Sequence, residues 1–109
     1  AFLFASAAGV SKVGNFTGNG TTQTIDCGFA GGARWVLIKR TDSTGDWYVY
    51  DTARGMTSVT DPYLLLNVTD AETATLGSVT TVSTGFALNS AILAAINVNG
   101  GTYIFLAIA

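Results

Sequence analysis

Apolar and polar positions alternate along most of the chain in short runs, and each run is closed by a turn. Residues 10–16 lead into Thr17-Gly18-Asn19-Gly20, where Asn-Gly suits the positive φ angles of a tight turn. Residues 22–29 alternate and end at Ala30-Gly31-Gly32-Ala33. The strongest strand is 34–40 (RWVLIKR), and after the turn Thr41-Asp42-Ser43-Thr44-Gly45 residues 46–52 (DWYVYDT) return as its hairpin partner. Residues 63–69 follow the breaker Asp61-Pro62. Thr80-Thr81 and Phe86-Ala87-Leu88 flank a turn at Ser83-Thr84-Gly85, and 101–109 close the chain as a nearly continuous apolar strand. Residues 91–96 alone have a composition that supports helix, and they read equally well as buried strand or a single turn. No long helical period occurs. About eight or nine short strands predict an all-β fold, an antiparallel β-sandwich. The expected organisation is one domain, 1–109.

The two ends resemble each other. Phe2-Leu3-Phe4-Ala5-Ser6-Ala7 echoes Ile104-Phe105-Leu106-Ala107-Ile108-Ala109. Either both are core strands of one domain, or residues 1–8 are the closing strand of a preceding tandem repeat. The opening run lacks the basic flank and the length of a secretory signal, so it reads as strand.

Composition narrows the function classes. The 109 residues carry Lys+Arg 5 against Asp+Glu 7, no His and a net charge of −2, while 49% are hydrophobic. Mean hydropathy is +0.42. That balance is foreign to a disordered tail and a poor footprint for nucleic acid. Without His, the commonest general base and metal ligand are missing. One Cys makes neither an internal disulfide nor a thiolate metal site. No run reaches the roughly 18 apolar residues of a membrane helix. The expectation is therefore a non-enzymatic protein without cofactor, metal, nucleic-acid partner or membrane insertion.

Charge placement adds a location. Only 11% of residues are charged, against about 25% in ordinary soluble domains. The surface must be hidden against copies or neighbours, or solvated by Thr, Ser, Asn and Gly. Every charge except Lys12 and Asp26 lies between Arg34 and Glu72, and 73–109 carry none. That terminal third is expected to supply core and assembly surface, with Ile104, Leu106 and Ile108 as the candidate contacts.

The central hairpin holds both tryptophans. Alternation puts Trp35, Leu37 and Lys39 on one face with Val36 and Ile38 on the other, and separates Trp47 and Val49 from Tyr48 and Tyr50. Trp47, Tyr50, Asp51 and Arg54 are the candidate glycan contacts, since rings stack on sugar C–H faces while carboxylates bind hydroxyls. The favoured alternative has Trp47 and Tyr48 packing the core and Lys39-Arg40 pairing with Asp46 or Asp51. Arg54 either clamps an anion or ties down its own loop through Asp51. Asp42, Asp46, Asp51, Asp61 and Asp70 lack the ligand spacing of a calcium loop, and turn chemistry is the favoured reading. Cys27 sits among apolar neighbours as a buried, inert thiol. Asn15, Asn19 and Asn67 match the glycosylation sequon as chance does in a Thr-rich chain. The weakest reading is a glycan-cleaving enzyme, with Asp51 and either Asp61 or Glu72 as its carboxylates.

The run from Trp35 to Gly55 (WVLIKRTDSTGDWYVYDTARG) closely resembles a repeat domain of tailed-bacteriophage tail fibre and minor tail proteins. The supporting pieces are GVSKVG at 9–14, TIDCGF at 24–29, DPYLLLN at 61–67 and NGGTYIFLAIA at 99–109. They span nearly the whole chain in order, and the match is poorest over 72–90. The resemblance implies a lectin-like, often tandem virion module, an antiparallel β-sandwich of the jelly-roll or concanavalin A-like kind, and it brings no catalytic residues. Three expectations follow. The first is a structural domain of an extracellular virion appendage, either homo-oligomeric with a trimer favoured or bound to other virion proteins, and aiding host attachment. The second is a carbohydrate-binding module for bacterial surface glycans. The third is a repeating subunit of a capsid decoration or filament, in which an end strand pairs with the next copy.

Overall fold

In the computed structural model, which describes residues 5–56, 62–69, 71–72, 79–89 and 96–109, the alternating runs become strands. Among the described residues these are β1 Ser11–Thr17, β2 Thr22–Asp26, β3 Trp35–Arg40, β4 Trp47–Asp51, β5 Tyr63–Leu65, β6 Val79–Val82, β7 Gly85–Asn89 and β8 Thr102–Ile108. All pairings are antiparallel. One sheet has the order β1-β8-β3-β4-β5 and the other β2-β7-β6. The first and last strands thus pair in one sheet while the second and the next-to-last pair in the other, a nesting of jelly-roll kind. The fold is an all-β antiparallel sandwich, and no α-helix occurs among the described residues.

Several runs end earlier than alternation alone implies, for local reasons. Strand β2 stops at Asp26 because its carboxylate accepts the Gly28 N–H at 2.8 Å and Gly28 turns at φ 72°. Strand β5 covers only Tyr63–Leu65; at the next pair the Leu66 N–H still reaches the Trp47 carbonyl, but the Trp47 N–H donates to Asn67 Oδ1 at 3.1 Å. Of the opening run, residues 1–4 lie outside the described residues, and Ala7 makes a single bridge to Ser11. The helix-or-strand reading of 91–96 also lies outside them, except for Ile96, which is buried in the core.

Alternation fills the space between the sheets. Strand β8 sends Tyr103, Phe105 and Ala107 inward, β3 sends Val36 and Ile38, and β7 answers with Phe86 and Leu88. Phe16 stacks on Tyr103 with centroids 4.9 Å apart, and Phe86 meets Phe105 edge-on at 5.3 Å. Each such side chain contributes roughly 1.5–3 kcal/mol on burial. Gly14 lies directly across from Phe105, and the ring covers the place where a Cβ would stand.

One fully buried polar side chain, Asn97, fixes the entry to β8. Its Oδ1 accepts from the Asn19 backbone N–H at 3.0 Å and from Gln23 Nε2 at 2.6 Å. Its Nδ2 donates to Asn19 Oδ1 at 2.9 Å and to the Thr21 carbonyl. The Asn97 carbonyl accepts the Gly20 N–H at 3.0 Å. The β1–β2 turn is thereby fastened to the segment that leads into β8. Gly18 completes the join, because any Cβ there would collide with the Val98 carbonyl. Replacing Asn97 by Ala removes four hydrogen bonds made from a fully buried side chain to part-buried partners and is expected to cost about 2–4 kcal/mol. A urea titration should show a lower midpoint with an unchanged slope.

Candidate functional site

Because Val36 and Ile38 enter the core, the opposite face of β3 presents Trp35, Leu37 and Lys39. Register then builds the outer face of the five-stranded sheet in levels. Leu37 lies across from Val49 and Leu106, Trp35 from Asp51 and Ile108, and Lys39 from Trp47 and Ile104. Leu37, Val49 and Leu106 form a buried floor against which Trp35, Trp47 and Leu64 pack. Ile104 and Ile108 stand proud of it, 42% and 38% exposed. Together they shape an open groove of about 560 Å³ in which Lys39 is the one charged lining residue among those described. Lys39 Nζ donates to the Arg40 carbonyl at 3.0 Å and lies 6.0 Å from the Trp47 ring centroid. An antiparallel sheet usually keeps one face for water. This one carries an apolar centre on its outer face as well, built on Leu37, Val49 and Leu106.

The sequence-derived candidates divide between places. Ile104, Leu106 and Ile108 are brought together on the groove with Trp47. Tyr50 is not available to a ligand, which corrects its selection as a glycan contact. It points to the other face, is 0% exposed and packs against Tyr63 at 5.7 Å. Asp51 shares the outer face but lies at the far end of β4 from Trp47, beside Trp35. Arg54 sits in the following turn and ties down that turn. Its Nε meets Asp51 Oδ2 at 2.9 Å, its backbone N–H donates to Asp51 Oδ1 at 2.7 Å, and Nη1 reaches Glu72 Oε2 at 3.3 Å. The carboxylates of Asp51 and Glu72 therefore share one guanidinium, while Asp61 lies outside the described residues. Trp35 is the residue that sequence reasoning missed, although its place beside Leu37 and Lys39 in the alternation was the signal.

The remaining aspartates are spread apart. Asp42 accepts from Arg40 Nε at 2.8 Å and from the Thr102 N–H at 3.2 Å, whereas Asp46 accepts from Asn67 Nδ2 at 2.8 Å. Arg40 thus pairs inside its own turn, not with Asp46 or Asp51. Asp70 lies outside the described residues, and among those described no three His, Cys, Asp or Glu side chains gather to hold a metal. The Arg40 hydrogen bond holds the Asp42 carboxyl below its ordinary range. The resulting stabilisation is present above the ordinary carboxylate pKa of about 4 and is lost as pH falls through the depressed value.

Cys27 is buried, and its thiol is pushed up to about 11 by that burial and by Asp26, with Lys12 opposing. At pH 8 iodoacetamide should label the native protein on the order of 100-fold more slowly than the urea-unfolded chain. Mass spectrometry of timed samples reads this, and equal rates would contradict the burial.

Residues 1–109 match the family described as a domain of unknown function, DUF7483, and the chain belongs to that family. No curated protein and no solved structure matches it.

Proposed function

We propose that this DUF7483 domain is a non-enzymatic structural domain of a bacteriophage tail fibre or related extracellular virion appendage. It self-associates through the outer face of its five-stranded sheet and takes part in host-surface attachment. The observation that carries this reading is the apolar groove between Trp35, Trp47, Ile104 and Ile108, with Lys39 as the one charged lining residue among those described. Apolar surface gains roughly 25 cal/mol per Å² when removed from water, and contiguous patches of this kind mark interaction sites. The low overall charge supports it, and the resemblance of 35–55 to phage tail repeat domains supplies the setting.

A second reading, a carbohydrate-binding module for bacterial surface glycans, draws on the same face. Trp35 and Trp47 flank the groove, and Asp51 beside Trp35 carries an acceptor for sugar hydroxyls. Strand exchange into a filament or capsid decoration has less support. On the outer edge of β1, Ser11 pairs with Ala7, and Ser6 Oγ accepts the Val13 N–H at 3.0 Å.

Light scattering at low and high concentration tests the first reading. The wild-type domain should show the mass of an assembly, and Ile104→Lys should be monomeric with an unchanged circular dichroism spectrum. A wild-type monomer at every concentration would contradict it. A glycan array with Trp47→Ala as the control tests the second reading, which needs binding that the substitution abolishes.

A further inference from the structure

We infer that the partner on this face is a second copy of the domain, laid face to face with its strands running the opposite way. The inference rests on the self-association proposed above and specifies its geometry. The two charges on the outer face of the central strands stand at opposite ends. Lys39 lies at the level of Trp47 and Ile104, whereas Asp51 lies at the level of Trp35 and Ile108. Between them the floor is Leu37, Val49 and Leu106, with no charge.

A two-fold axis running across the strands exchanges the two ends. Lys39 of one copy then meets Trp35 and Asp51 of the other, and the contact occurs twice because the interface is isologous. The ammonium gains an indole face and a carboxylate at once. Asp51 can accept a further bond, since a carboxylate offers about four lone-pair sites and Arg54 occupies one on each oxygen. Ile104 meets Ile108, and the floor residues meet their own counterparts. Sheets pack face to face in this manner with strand directions aligned to within about 30°.

Parallel arrangements lack this match. With strands running the same way, as around a three-fold axis along them, each level faces its own level. Lys39 groups then gather at one end and Asp51 groups at the other, with like charges brought out of water together.

Disulfide mapping on the whole domain tests the geometry. Ile104→Cys and Ile108→Cys, each with Cys27→Ala, are oxidised mildly, alone and as an equimolar mixture. Along one strand the two positions are roughly 13 Å apart. The mixture should give cross-linked dimer in about tenfold excess over either variant alone. Stronger self-linking of each variant would overturn the opposed geometry while leaving self-association standing. A monomer by light scattering, with no cross-link in any sample, would overturn both. Charge exchange provides an independent check. Lys39→Glu and Asp51→Lys should each lose association alone and regain it when mixed. Two folded variants that fail to associate on mixing would overturn the Lys39–Asp51 contact.

Discussion

Strand β8 lies between β1 and β3, in the interior of the larger sheet, and carries apolar side chains on both of its faces. Tyr103, Phe105 and Ala107 close the sandwich core, while Ile104, Leu106 and Ile108 face away from it. An interior strand cannot turn one face aside without breaking two ladders. The inner face is satisfied by Phe16 and Phe86. The outer face is left as a groove, and the proposed function is an answer to that exposure.

The start of β8 is held from two sides, which makes the groove a built surface instead of a loose one. On one side Asn97 fastens the β1–β2 turn to the segment before the strand. On the other, the hairpin turn grips Thr102. The Thr41 N–H donates to the Thr102 carbonyl at 2.8 Å, the two threonine hydroxyls lie 2.9 Å apart, and Asp42 accepts the Thr102 N–H. The charges concentrated around the hairpin are spent largely within it: Arg40 on Asp42, Arg54 on Asp51 and Glu72.

Much of this was legible in the sequence. Period-two alternation located the strands and separated Trp35, Leu37 and Lys39 from Val36 and Ile38, because side-chain direction in a strand is set by the backbone alone. Alternation does not say which face meets the second sheet. That is why Tyr50, polar at its tip and flanked by Asp51, read as a ligand contact when it belongs to the core. Strand ends were less legible still, because the Asp26–Gly28 turn and the Trp47–Asn67 contact depend on single hydrogen bonds. Asn97 carried no signal at all. Its partners Asn19 and Gln23 are 78 and 74 residues away, and only the nested topology brings them together. The uncharged stretch 73–109 did announce the apolar surface, since burial of charge is costly whatever the fold.

The central claim is that the outer face of the five-stranded sheet is covered in the working assembly. Trp35 and Trp47 both line that face and are the chain's two tryptophans. Acrylamide quenching of tryptophan fluorescence, followed as protein concentration rises, reads its exposure directly. The account predicts that the quenching constant falls with concentration as the face becomes occupied. A constant that stays the same across the whole range, in a folded protein, would contradict it.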